Sequence, residues 1–87
     1  MKPKNESSQW KLTNNKLEKT FKLNNFKNVV AFINMITPIC ERMNHHPDLQ
    51  VFDYKFIKFQ LVTHDLNKVS EKDYELAHQI DEIRRQL

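Results

Sequence analysis

The sequence predicts an α+β fold: a four-stranded antiparallel sheet with two helices packed on one face, in the order ββαββα. Three observations predict it. Residues 16–23 and 56–63 alternate apolar and polar side chains, the period of a half-buried strand. Residues 26–43 and 76–87 carry apolar side chains three and four apart, the period of a helix with one buried face. The segments between them are short, which favours antiparallel neighbours.

Met1 to Gln9 is a polar lead without pattern, expected to be flexible. Trp10 to Thr13 is a short strand candidate, and Asn14 and Asn15 form a two-residue hairpin turn, because Asn accepts the left-handed conformation. In the second strand, Lys16 to Leu23, one face carries Leu17, Phe21 and Leu23, and the other carries Glu18, Thr20 and Lys22. Asn24 or Asn25 caps a helix whose stripe is Phe26, Val29, Val30, Ile33, Ile36, Cys40 and Met43. Pro38 falls inside that stripe. An interior proline costs a helix about 3 kcal/mol, so a kinked helix from Phe26 to Met43 is expected.

Leu49 to Tyr54 and Phe56 to Thr63 read as a second hairpin turning around Asp53 to Lys55. A loop over Asp65 to Val69 leads to Ser70, with Asp73 three residues on, the pattern of a capping box. Leu76, Ala77, Ile80, Ile83 and Leu87 then form the buried stripe of a final helix, with Glu82, Arg84 and Arg85 facing water and His78 on the surface. The chain contains no glycine, so its turns fall to Asn, Asp and Pro.

Eighty-seven residues make a single domain, 1–87. An apolar share of 39% and a charged share of 29% is an ordinary soluble composition. Cys40 has no partner for a disulfide, which fits a reducing compartment. No apolar run approaches the ~20 residues of a membrane span, and the polar lead lacks a signal-peptide core; a cytoplasmic protein without a membrane partner is expected. The net charge of +3 comes from dispersed lysines, so nucleic acid is not an expected partner.

Three of the four histidines fall between Glu41 and Asp73: His45, His46 and His64. Imidazole changes charge near neutral pH, so a cluster beside a carboxylate suits acid–base chemistry or a metal. Three histidines and a carboxylate could hold zinc. No H-E-x-x-H or cysteine-pair spacing is present, however, and adjacent side chains such as His45 and His46 rarely converge on one ion. No metal and no cofactor is expected. Cys40 lies on the apolar stripe, as a small hydrophobe rather than a nucleophile.

The spacing of Glu41, His45, His46, Pro47, Tyr54, His64 and Asp73 resembles that of the pterin-4a-carbinolamine dehydratases (4a-hydroxytetrahydrobiopterin dehydratases). The likeness runs from Trp10 to about Ile83 and includes the Phe21 and Phe26 region, Thr63 beside His64, and the Ser70 to Asp73 helix start. It implies a hydro-lyase that removes water from 4a-hydroxytetrahydropterin to give quinonoid dihydropterin, in tetrahydropterin recycling, by histidine general acid–base catalysis. On this reading His45 and His64 share the acid–base roles from opposite sides of the ring, His46 binds and orients the pterin, and Glu41 orients an imidazole or raises its pKa. Asn44, Thr63 and Asp65 line the pocket, and Trp10 either closes one wall or packs as a core or rim residue. Tyr54 is a core or rim residue, and Asp73 the cap of the last helix rather than part of the chemistry.

The resemblance also implies a homodimer through sheet edges or a homotetramer through helices, with the family's N-terminal helix shortened or absent here. Two other roles go with such folds. One is a protein-interaction module of the dimerisation-cofactor, transcriptional-coactivator type. The other is a dehydratase-like protein acting on a different pterin, as in molybdopterin metabolism.

Overall fold

A computed structural model describes residues 9–87, so the expected flexible lead over Met1 to Gln9 lies outside the described residues except for Gln9. The elements run β1 (Lys11–Thr13), β2 (Lys16–Lys22), α1 (Phe26–Met43), β3 (Asp48–Phe52), β4 (Phe56–Leu61) and α2 (Glu71–Arg85). The ββαββα order is the one expected from the sequence. All strand pairs are antiparallel and the sheet order is β1-β2-β4-β3, leaving β1 and β3 at the edges.

One sheet face and both helices share a core. Leu17 and Phe21 of β2, and Ile57, Phe59 and Leu61 of β4, point to the same side because strand side chains alternate. Against them pack Val29, Phe32, Ile36, Ile39 and Cys40 of α1 and Leu76, Ala77 and Ile80 of α2. The rings of Phe21, Phe32 and Phe59 meet edge to face at 5.3–5.8 Å, a geometry that aligns ring edges with ring faces.

The inward face of α1 is rotated from the expected stripe. Phe32 and Ile39 are buried, whereas Phe26 and Val30 are exposed on a flank of the helix. A helix with apolar residues on more than one side has no unique face in the sequence; contact with the sheet selects one. The helix runs unbroken through Pro38. Proline lacks the N–H that would reach the Asn34 carbonyl, but both residues are exposed, so water can take that bond.

Among the described residues, six have positive φ: Asn14, Asn15, Asn44, Asp53, Tyr54 and Asn67. Five are Asn or Asp, as expected in a chain without glycine. Asn14 and Asn15 make the first hairpin turn, and Asp53 and Tyr54 the second. Tyr54 is the costly member, because a bulky side chain is disfavoured in the left-handed region. Its side chain is exposed at the tip of the β3–β4 hairpin.

A second unexpected feature is a buried charge. Lys19 follows the inward alternation of β2 between Leu17 and Phe21, and its Nζ donates to Asp81 Oδ1 at 2.9 Å. Asp81 sits fully buried on α2 and also accepts from Trp10 Nε1 at 3.2 Å. Lys19 Nζ lies 4.6 Å from the Phe21 ring centroid, within cation–π range. Trp10, Lys19 and Asp81 thus tie β2 and the entry to β1 onto the C-terminal half of α2.

Candidate active site

Three chain segments converge at the other end of α2. The first is the exit from α1. Asn44 takes the left-handed conformation, φ 51° and ψ 45°, and its N–H bonds back to the Glu41 carbonyl at 3.2 Å. His45 N–H then reaches the Cys40 carbonyl at 3.0 Å, closing the helix end. The reversal projects His45 and His46 to different surroundings, and Pro47 holds the chain extended into β3.

The second segment follows β4. Thr63 pairs with Lys68 through Thr63 N–H to the Lys68 carbonyl at 3.0 Å, and Leu66 and Asn67 bond back to Thr63 and His64. These bonds make a tight loop with exposed His64 near its start. The third segment is the first turn of α2, where Ser70 caps and Asp73 is fully buried.

Asp73 joins all three. Its Oδ1 lies 2.6 Å from His45 Nε2; its Oδ2 accepts from Thr63 Oγ1 at 2.8 Å and from the Ser70 N–H at 2.9 Å. A carboxylate only accepts, so His45 Nε2 carries the hydrogen. The other ring nitrogen of His45, Nδ1, makes no hydrogen bond among the described residues. Asp73 was expected only as a cap. It makes the reach-back bond of a capping box and holds a histidine as well.

The neighbouring histidine has a different partner. His46 Nε2 lies 2.6 Å from Glu41 Oε2, one α-helical turn and a bend earlier. Both groups are exposed, so water competes for the same bond. The imidazole that Glu41 meets is that of His46, while His45 is held by Asp73.

A cleft of about 360 Å³ opens here, lined by Asn44, His45, His46, Pro47, Asp48, Thr63, His64, Asp65 and Lys72. That volume lies in the range of small-molecule pockets. Six of the expected residues come together in it: Asn44, His45, His46, Thr63, His64 and Asp65. Glu41 instead lines an adjoining apolar cleft of about 190 Å³ that shares His46 and Pro47 with the first. Trp10 is a correction. Its ring is in the core and its N–H is given to Asp81, so it does not line the cleft.

Asp48 and Lys72 line the cleft without having been expected there. Each is next in sequence to a residue that was singled out, Asp48 after Pro47 and Lys72 before Asp73. That adjacency was the only signal.

No group of three or more His, Cys, Asp or Glu side chains among the described residues is arranged to hold a metal ion. Burial pushes the Cys40 thiol above its ordinary range, and the nearby Glu41 charge adds to the effect. No helix among the described residues is long and apolar enough to cross a membrane.

The fold and site together define a class: a small α+β domain with a buried histidine–aspartate pair at the wall of a cleft of about 360 Å³. Comparison with known proteins makes the class specific. The profile of the family described as pterin 4 alpha carbinolamine dehydratase matches residues 2–83, and the chain belongs to that family.

A protein of Sulfolobus acidocaldarius, provisionally named as a pterin-4-alpha-carbinolamine dehydratase, is 47% identical over 79 residues, covering 91% of this chain and 86% of its own. One from Sulfurisphaera tokodaii with the same provisional name is 43% identical, covering 91% of this chain and 84% of its own. Among solved structures, a transcriptional coactivator/pterin dehydratase from Brucella melitensis superposes with a TM-score of 0.82 at 24% identity, covering 92% of this chain and 90% of that one. A pterin dehydratase-like protein described as a RuBisCO assembly factor in the alpha-carboxysome superposes with a TM-score of 0.69 at 19% identity, covering 86% and 88%. At those identities the likeness is one of fold, and a fold of this kind carries more than one role. Activity has to be argued from the side chains of the cleft.

Proposed function

We propose that this protein dehydrates 4a-hydroxytetrahydropterin to quinonoid dihydropterin, serving tetrahydropterin recycling. The observation that carries the reading is His45, held at 2.6 Å by a fully buried aspartate at the wall of a cleft that also contains His64. In the reaction the C4a–O bond breaks and the hydroxyl leaves as water after taking a proton. N5 gives up its proton, and the freed electron pair closes the C4a=N5 bond. One group must donate and another accept, and two imidazoles fit both tasks near neutral pH.

His45 and His64 take these two roles from opposite sides of the pterin ring. His45 is the fixed member. The His64 imidazole makes no hydrogen bond among the described residues and is exposed, so it can exchange protons with water between turnovers. His46, steadied by Glu41, contributes binding and orientation at the rim. Asn44 and Asp65 supply polar groups to the pterin edge. Thr63 lines the cleft, but its hydroxyl is already engaged by Asp73.

The unit at work is a homodimer or homotetramer. Strands β1 and β3 are the sheet edges, each paired on one side only among the described residues, and Phe26, Val30 and Leu49 expose apolar surface. A single 10.5 kDa species in sedimentation equilibrium at micromolar concentration would contradict this. The compartment proposed is the cytoplasm, where the lone Cys40 stays a thiol; cell fractionation tests it.

The deciding experiment follows the decay of 4a-hydroxytetrahydropterin with wild type and with His45→Ala, His46→Ala and His64→Ala. Losing one proton-transfer group lowers kcat by about a hundredfold or more for His45→Ala and His64→Ala. His46→Ala raises KM and spares most of kcat. A folded wild type that does not accelerate the decay overturns the proposal.

A further inference from the structure

The Asp73 carboxylate is held from behind. Thr63 Oγ1 donates to Asp73 Oδ2 at 2.8 Å, and the same Thr63 oxygen lies 2.6 Å from Ser70 Oγ. A hydroxyl has one hydrogen to give. Since Thr63 gives its hydrogen to the carboxylate, Ser70 Oγ must be the donor in the Ser70–Thr63 pair. The Ser70 N–H also reaches Asp73 Oδ2, at 2.9 Å. A directed chain results: Ser70 Oγ–H to Thr63 Oγ1, Thr63 Oγ1–H to Asp73 Oδ2, and His45 Nε2–H to Asp73 Oδ1.

Direction matters because the aspartate cannot turn away without breaking several bonds. A free carboxylate swings about its side-chain bonds and lets an imidazole flip, presenting either nitrogen. Here Oδ2 is held by two donors, one of them backbone, so Oδ1 stays on His45. The side chains of His45 and Asp73 are 10% and 0% exposed, which keeps water from replacing either bond.

We propose that Ser70 and Thr63 are positioning residues: through Asp73 they fix His45 so that Nδ1 is the nitrogen presented to the cleft. Whichever way the proton moves, it passes through Nδ1 while Nε2–H stays on the aspartate. This rests on the dehydratase reading for its kinetic consequence, but the tautomer itself does not need turnover to be seen.

The experiment therefore has two arms, both on the full chain. Long-range ¹H–¹⁵N correlation of histidine-labelled protein, with the imidazoles neutral, reports which ring nitrogen is protonated. Wild type is expected to show His45 protonated at Nε2 only, and Thr63→Val to show a mixture of the two forms. In steady state, Thr63→Val is expected to lower kcat about tenfold, the value of a hydrogen bond to a charged group, with KM changed less than about twofold. Ser70→Ala, which removes a neutral bond one step further out, lowers kcat about threefold. Thr63→Ser and Ser70→Thr keep each hydroxyl and restore more than half of the wild-type kcat, which separates the relay from a general packing effect.

Wild-type His45 protonated at Nδ1, or Thr63→Val with kcat within twofold of wild type, overturns the proposal. If wild type folds but shows no dehydration, the proposed function fails, and the tautomers of wild type and Thr63→Val alone decide the relay. Should Thr63→Val fail to fold, Ser70→Ala is read in both arms by the same criteria.

Discussion

His45 and His46 are adjacent in sequence and each has a carboxylate oxygen 2.6 Å from Nε2, yet the two pairs are not equivalent. In the first, His45 and Asp73 are 10% and 0% exposed; in the second, His46 and Glu41 are 53% and 69% exposed. Distance alone would rank them equal. An exposed pair exchanges its partner for water at little cost and is worth about 0–1 kcal/mol. A buried carboxylate has no such exchange, so its bonds dictate geometry. The lesson for the site is that Asp73 determines how His45 sits, whereas Glu41 only biases His46.

Asp81 offers a control within the same helix. Like Asp73 it is fully buried on α2 and binds groups from other elements, Lys19 and Trp10, but it lies on the C-terminal half of the helix, away from the cleft that holds His45, His46 and His64. The largest effect is expected for Asp73→Ala, which strips three donors of their acceptor. It should cost about 3 kcal/mol or more of stability and abolish most activity in the molecules that remain folded. Asp81→Ala should cost about 3 kcal/mol as well, because it removes the carboxylate that receives a buried Lys19, but kcat per folded molecule should stay near wild type. Urea unfolding with activity normalised to folded protein checks both. Equal loss of kcat in the two variants would erase the distinction between an aspartate that positions chemistry and one that ties the fold together.

The smallest effect concerns Cys40, buried beside Glu41 at the end of α1. Its thiol is pushed up by burial first and by the Glu41 charge second, so the thiolate is disfavoured in the folded state. The unfolded chain ionises first as pH rises. The contribution to stability is therefore complete below the ordinary thiol value and is lost as pH climbs through that value towards the raised folded one. At pH 8, a thiol reagent should modify the folded protein at least about tenfold more slowly than the protein unfolded in urea. Equal rates would mean that the helix end opens readily.

Much of this was legible in the sequence because it depends on local rules. The hairpin at Asn14 and Asn15, the helix from Phe26 to Met43 and the start of α2 after Ser70 follow from turn chemistry, periodicity and capping. What could not be read depends on which side chains meet in space. The inward face of α1 shifted to Phe32 and Ile39 because the helix is apolar on more than one side. Lys19 sat on the buried parity of its strand, but its partner is Asp81, 62 residues away, and no local pattern joins them. Trp10 was placed at the pocket wall by the family resemblance alone; the same Asp81 draws it into the core instead.

The candidate site divides along the same line. His45, His46 and His64 were identifiable by residue type and by a spacing that matches a known family. The second role of Asp73 was hidden because Ser70 and Asp73 already satisfied a capping pattern. A residue that meets one local rule fully gives no sign of a second, long-range bond.

The most direct test compares Asp73→Asn with Glu41→Gln in the 4a-hydroxytetrahydropterin assay. Each change keeps shape and removes the charge from one histidine's partner. Asp73→Asn should lower kcat by about a hundredfold or more, because an amide no longer enforces the Nε2–H form of His45. Glu41→Gln should change kcat by less than about threefold, as befits an exposed pair. Equal losses in the two variants, or the larger loss in Glu41→Gln, would contradict the account.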